Sequence, residues 1–225
     1  MNRKFIIGML LWVGLFLLSA CSTVMDLVEN QPETCDGAGA LFQDDFDPEK
    51  DCGWATYNRG GAVAEEVDGV LRLTTSQPGQ IWWTNPGKNF GDVVITTQVT
   101  NVSGPEDNAY GVICRYQSEE NYYLFLISSD GYYAIGKYQA GTDRVIYLTE
   151  DGQFGQSELI NQGVGAVNDI RASCVGNQLS LSVNGQPLLT VTDPTFVNGD
   201  VGLAASTFQP GTAVFEFDDF RVTTP

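Results

Sequence analysis

The stretch from Asp169 to Val191, DIRASCVGNQLSLSVNGQPLLTV, decides the fold. It reads as three strands joined by two tight turns, because Gly176-Asn177 and Asn184-Gly185 both tolerate the positive φ that a two-residue hairpin loop needs. With Gly176-Asn177 as the first loop, Val175 stands opposite Gln178, Cys174 opposite Leu179, Ala172 opposite Leu181 and Ile170 opposite Val183. The last three pairs share one face, while Arg171, Ser173, Ser180 and Ser182 share the other. One apolar face and one wet face describe an antiparallel sheet laid over a core. Pro187 sits beside the second turn and Leu188-Leu189 does not alternate, so the third strand is expected to start at a sheet edge.

Outward from this stretch the pattern repeats. Leu41 to Phe46 reads as a first strand, followed by the acidic loop DPEKDCG. Ala62 to Val67 and Val70 to Thr74 flank the turn signal Asp68-Gly69. Gln80 to Thr84 carries the Trp82-Trp83 pair, and Asp92 to Thr100 is rich in Val, Ile and Thr, which favours a strand. AYGVICRY (109–116), NYYLFLIS (121–128) and a Tyr-rich run after Asp130-Gly131 are central strands. Arg144 to Thr149 is a short strand, Glu150 to Ala166 a longer loop, and Asp200 to Ala205 with Ala213 to Val222 close the domain. In the last strand Phe215 and Phe217 share a parity that Phe220 and Val222 do not, so a bulge at Asp218-Asp219 is expected to return all four to the core. No helical period runs through ten residues beyond the leader, and no repeat is evident. The expectation is one all-β domain of about twelve or thirteen strands over residues 41–225, a sandwich or a barrel.

The chain opens MNRK, continues with the apolar run Phe5 to Leu18, and reaches Ser19-Ala20-Cys21. A basic start, a short apolar stretch and small residues describe an export signal over residues 1–20, too short for an ordinary membrane span. Leu18-Ser19-Ala20-Cys21 resembles a bacterial lipobox, which implies cleavage before Cys21, a diacylglyceryl thioether on its sulfur and an acylated (palmitate-type) amino terminus. An ordinary signal with a chance cysteine, or an uncleaved anchor, are the alternatives. Two or more acyl chains suffice to hold a protein on a membrane. Residues 21–40 then read as a lipidated tether.

Cleavage removes Arg3 and Lys4 and no acid, taking the formal charge from −17 to −19. The acids are dispersed and no basic stripe exists, so nucleic acid is not an expected partner. The chain has no histidine. Ser-His-Asp and Cys-His catalysis and imidazole-dependent zinc sites are thereby excluded, whereas carboxylate and calcium chemistry are not. Beyond Cys21, the four cysteines Cys35, Cys52, Cys114 and Cys174 in an exported chain point to two disulfides with three possible connectivities. A four-thiolate zinc site is the rival, without a CxxC pair to support it.

The run from Asn168 to Asp193 (an N-x-x-R strand, a short turn, a strand ending V-N-G, then an aspartate) resembles the laminin-G and concanavalin A-like jelly-roll group. AYGVICRY, NYYLFLIS and the closing Phe217-Asp218-Asp219-Phe220-Arg221-Val222 resemble the middle and last strands of the same group. That group includes lectin-like modules, glucanases and keto-disaccharide hydrolase domains, and the resemblance implies an all-β, antiparallel two-sheet β-sandwich of the jelly-roll kind. The resemblance makes the strands of Cys114 and Cys174 neighbours, so it implies the bridge Cys114–Cys174 and leaves Cys35–Cys52.

Three chemistries are open to such a domain. Glucanases of this group carry their acids on one strand as E-x-D-x-x-E; no such run is present, and the nearest cluster, Glu65-Glu66-Val67-Asp68, ends in a turn signal. For sugar recognition, rings stack on aromatic faces and hydroxyls meet polar side chains. Parity places Ile113 and Arg115 opposite Val112 and Cys114, and the resemblance puts Tyr122 beside Arg115. Trp82 or Trp83, Arg115, Tyr122, Tyr133 and Lys137 are therefore the expected lining of a glycan-binding sheet face. For calcium, Asp44-Asp45 and Asp218-Asp219 would converge if the first and last strands pair, forming an optional structural site. The expectation is an extracytoplasmic, lipid-anchored module with a non-catalytic carbohydrate-recognition role. A glycoside hydrolase of the keto-disaccharide hydrolase or glucanase kind, and a structural or protein-binding envelope lipoprotein, are the alternatives.

Overall fold

The computed structural model describes residues 35–37 and 39–225. The export signal, Cys21 and most of the tether lie outside the described residues. Strands are β1 (Phe42–Asp44), β2 (Tyr57–Arg59), β3 (Ala62–Val67), β4 (Val70–Thr75), β5 (Trp82–Thr84), β6 (Val93–Ser103), β7 (Asn108–Ser118) and β8 (Asn121–Ile127). They continue with β9 (Tyr132–Tyr138), β10 (Ile146–Tyr147), β11 (Gly155–Gln156), β12 (Val167–Val175), β13 (Gln178–Val183), β14 (Gln186–Thr192), β15 (Asp200–Thr207) and β16 (Ala213–Thr223). The very short β2 and β11 are the elements that sequence patterning did not indicate.

Two antiparallel sheets form a jelly-roll sandwich. The larger runs β14-β13-β12-β6-β16-β4-β3-β2, with β1 on the far half of β16; the smaller runs β10-β9-β8-β7-β15-β5, with β11 beside β9. The hairpin β12–β13 has the expected register, Ile170↔Val183 through Val175↔Gln178. Ile170, Ala172, Cys174, Leu179, Leu181 and Val183 are buried, while Ser173, Ser180 and Ser182 stay partly solvated on the other face. Gly176 takes φ 53° and Asn177 does not follow it into positive φ, whereas Asn184 and Gly185 both do. The first turn thus has one left-handed residue, at its first position, and the second has two. Pro187 lies on the edge strand β14, and the ladder slips between Leu181 and Ser182, which absorbs the Leu188-Leu189 doublet. In β16 the register shifts between Asp218 and Arg221, Asp219 adopts φ 50°, and Phe215, Phe217, Phe220 and Val222 are all buried.

Both disulfides form as the resemblance implied. Cys114–Cys174 joins β7 of one sheet to β12 of the other across the core, closing a sequence separation of 60 residues. Cys35–Cys52 closes 17 residues and ties the segment before β1 to the loop after it. In the chain-entropy model these loops correspond to about 4 and about 3 kcal/mol of stabilisation. Beneath the second bridge, Trp54 packs on Phe46 and Phe220 at ring separations of 5.6 and 5.0 Å.

Candidate functional site

The outer face of the smaller sheet is apolar where an ordinary sheet face would be wet. Ala109 and Ile113 on β7, Leu124 and Leu126 on β8 and Ala204 on β15 form its buried floor. Strand register explains the assembly. Phe125 and Ile127 point into the sandwich core, so the even-numbered residues of β8 point out. Tyr122 faces Tyr138 across the β8–β9 pair, and Trp83 lies opposite Ala204 on the β5–β15 pair.

Four rings meet on this floor. Tyr122 has centroids 5.5 Å from Trp83, 5.7 Å from Tyr116 and 5.8 Å from Tyr138, the last nearly parallel at 12°. Tyr122 is itself 2% exposed, while Trp83, Tyr116 and Tyr138 are half-buried and offer ring surface to solvent. Burial pushes the Tyr122 phenol well up, with Tyr138, Tyr116 and Glu119 adding to the effect, so it stays a neutral hydroxyl at any ordinary pH. The rings lie in an open cleft of about 840 Å³. Its walls include Arg59, Gln80 and Phe208 toward one end, and Glu119, Glu120, Asp143 and Arg144 on the loops at the other.

The structure keeps Trp82, Trp83 and Tyr122 of the expected lining and removes three residues. Trp82 lies at the margin, its ring 6.1 Å from Tyr57 and its indole nitrogen buried without a partner among the described residues. Arg115 is 1% exposed and points away from the cleft. Its guanidinium donates to the carbonyls of Gly176 (2.9 Å) and Phe196 (2.7 Å) and to Asp92 (3.0 Å). The reason is a bulge: Arg115, Tyr116 and Gln117 together stand opposite Tyr122, with Arg115 at φ 53°. The bulge swings Arg115 inward and brings Tyr116, which strict alternation assigned to the core side, into the cleft. Gly199 accommodates it from above, since a Cβ there would sit 2.5 Å from the carbonyl carbon of Arg115.

Tyr133 and Lys137 face the sandwich interior because β9 is registered Ile127↔Tyr133 and Tyr123↔Lys137. Ser129, Asp130 and Gly131 form a three-residue loop, closed by the Ser128 N–H on the Tyr132 carbonyl; a two-residue loop at Asp130-Gly131 would have given the opposite parity. Lys137 donates to Asp193 (2.7 Å) and Thr195 (2.7 Å), and the Tyr123 hydroxyl donates to the same carboxylate at 2.6 Å. Burial pushes Asp193 up, but the hydrogen bonds from Lys137, Thr195 and Tyr123 outweigh it and hold the carboxyl at about 2. Both cations assigned to the groove thus fasten the loop between β14 and β15 instead. Tyr116, Tyr138, Phe208, Arg59 and Arg144 are the cleft residues that sequence reading missed.

The first and last strands do pair, Asp44↔Phe220, bringing Asp44, Asp45, Asp218 and Asp219 to one end of the larger sheet. Asp44 is buried and accepts from the Trp54 indole (2.8 Å) and the Phe46 N–H, and Asp45 is engaged by Lys50 at 3.4 Å. Burial raises Asp218, with Asp219 and Asp45 adding to the shift, so these acids sense one another. Among the described residues, however, no group of three or more Asp, Glu, Cys or His side chains is arranged to hold a metal.

No protein-family model matches the chain, and no curated protein matches it in sequence. Solved structures do match. The carbohydrate-binding module CBM66 from Bacillus subtilis superposes with TM-score 0.60 at 15% identity, over 76% of this chain and 96% of that one. A Bacillus subtilis protein with a galectin-like fold gives 0.59 at 14%, over 84% and 97%. A Bacillus licheniformis β-glucanase gives 0.55 at 11%, over 84% and 100%. The fold is therefore of the concanavalin A-like kind, and at these identities the likeness carries the architecture alone.

Proposed function

We propose that the cleft on the smaller sheet is a carbohydrate-binding site and that the domain recognises a glycan without cleaving it. The observation that carries this reading is the half-buried surface of Trp83, Tyr116 and Tyr138, packed around Tyr122 in an open cleft with polar walls. Flat rings held rigid by a buried neighbour suit the apolar faces of sugars, and the surrounding amides and charged groups suit their hydroxyls. The neighbour named as a carbohydrate-binding module is consistent with recognition, and the one named as a glucanase is consistent with a glycan as the ligand. A hydrolytic role has less support: the acids lining the cleft, Glu119, Glu120 and Asp143, are exposed loop residues at one end. None rises from the floor to flank a bond from both sides.

The test is a glycan screen with the full oxidised chain in detergent, followed by titration with the best binder. Trp83→Ala and Tyr138→Ala are each expected to weaken binding about tenfold, the loss of one stacked ring. Binding that ignores both substitutions would remove the site, and release of new reducing ends from the bound glycan would replace recognition by hydrolysis. We further propose export and anchoring through lipid on Cys21, placing the cleft on the outer side of a bacterial membrane. Palmitate labelling that persists in Cys21→Ser would refute this part.

A further inference from the structure

The chain has 28 acids and 11 bases, so a surface base has carboxylates in excess to choose from. Several bases find one. Lys50 pairs with Asp45, Arg72 with Glu216 and Glu65, Arg115 with Asp92, and Lys137 with Asp193. Among the described residues, Arg59 and Arg144 form no ion pair within 4.0 Å, and both line the cleft. Arg59 lies over the Tyr57 ring at 5.2 Å, which presents its guanidinium without neutralising it. Both side chains are exposed. Arg171, on the outward face of β12, likewise has no ion pair among the described residues, but it borders no cleft and provides an internal control.

From this placement we infer that the ligand is an anionic glycan, its carboxylate or sulfate received by the guanidinium of Arg59, with Arg144 contributing at the far end. The inference rests on reading the cleft as a glycan site. Guanidinium offers parallel N–H donors that match carboxylate and sulfate oxygens, and it stacks on rings at the same time, which is the setting Tyr57 supplies for Arg59. The net charge of −17 does not oppose such a contact, because charges farther than about 8–10 Å are screened at physiological salt. The cleft also has polarity. Glu119 and Glu120 lie in the β7–β8 turn, six strand positions or about 20 Å along β8 from the row Trp82–Ala205–Tyr110–Ile127. Arg59 is placed at the Trp82 end of that row by the Tyr57 ring, 6.1 Å from Trp82, that it overlies. The anionic group therefore belongs at the Arg59 end, away from these acids.

The experiment titrates the full oxidised chain with matched pairs: oligogalacturonides and their methyl esters, hyaluronan oligosaccharides and their carboxyl-reduced forms, and sulfated galactan oligosaccharides with their desulfated forms. In at least one pair the acidic member is expected to bind about tenfold more tightly, in a manner lost in Trp83→Ala. Arg59→Gln should close most of that gap, Arg144→Gln less of it, and Arg171→Gln none. Preference for a carboxylated or a sulfated pair tells the two anions apart. If both members of every bound pair bind equally, or the neutral one binds better, the inference fails while the glycan site stands. It fails in the same way if only neutral glycans outside the panel bind. If no glycan of any kind binds, both fall together.

Discussion

The hairpins β12–β13 and β7–β8 sit on opposite sides of one core and are bolted together by Cys114–Cys174, yet they obey different rules. In β12–β13 the ladder is unbroken from the turn to Ile170↔Val183, and every side chain lies on the face that alternation assigns. In β7–β8 the ladder is regular only from Tyr110↔Ile127 to Cys114↔Tyr123; beyond it three residues of β7 answer to one of β8. The first hairpin closes the core. The second, at the point where it departs from regularity, exchanges Arg115 for Tyr116 on the outer face and completes the ring cluster. A sheet that obeyed alternation throughout would have a charged residue where the cleft has a ring.

The strongest way to break this contrast is Arg115→Ala. The substitution leaves the carbonyls of Gly176 and Phe196 without their donor and takes from Asp92 its cation. A cost of about 3 kcal/mol is expected, the scale for deleting one partner of a buried, charged hydrogen-bond network. Urea unfolding of the oxidised protein measures it. Glycan affinity should fall in the folded variant as well, because Tyr116 loses the anchor that fixes the bulge. Arg115→Ala with unchanged unfolding and unchanged binding would mean that the bulge is held by the strands alone.

The same contrast explains what could be read in advance. Where a strand is regular and its turn is signalled, as at Gly176-Asn177, faces follow from counting, and the sandwich with both disulfides follows from the faces together with the family resemblance. At the closing strand the mismatch of Phe217 and Phe220 announced its bulge, because two apolar pairs of opposite parity cannot both reach a core otherwise. Nothing comparable marks Arg115: the left-handed residue there is an arginine, with no glycine or proline between Cys114 and Ser118. The sign of Tyr133 and Lys137 hung on whether Ser129 belonged to the turn, and Asp130-Gly131 suits loops of either two or three residues. One residue of turn length reverses every later side chain. The site was therefore legible as aromatic and as lying on this sheet, but only half of its members were.

A smaller effect separates the two ways in which Lys137 could hold its loop. Asp193 is held at about 2, below the ordinary value of about 3.9, so its contribution to stability is complete above about pH 4 and disappears as pH falls toward 2. Lys137→Met removes the strongest of the hydrogen bonds responsible. The variant is expected to be about 2 kcal/mol less stable than the parent at pH 7, the scale of a charged hydrogen bond, with the difference shrinking between pH 4 and pH 2. Denaturant unfolding at pH 7, 4 and 3 follows it. A difference that stays constant with pH would assign Lys137 to packing by its stem and detach it from the carboxylate.

The smallest effect tests whether the regular hairpin is as self-sufficient as its register implies. Gly176 has φ 53°, and a Cβ there would meet nothing within 4 Å, so Gly176→Ala costs only the left-handed backbone, about 1 kcal/mol. The turn is not free of the other hairpin, however. The Gly176 N–H donates to Asp92 at 3.0 Å while its carbonyl accepts from Arg115, so the bulge on one sheet grips the turn on the other. With Arg115 in place this grip forces the new alanine to keep the strained φ; in Arg115→Ala the turn has a partner fewer and relaxes. The double variant should then lose less than the two single losses combined, by at least about 0.5 kcal/mol, the threshold that separates coupled from independent sites. Strict additivity would show that the turn is set by its own two residues, and that the hydrogen bond from Arg115 holds its carbonyl without influencing its conformation.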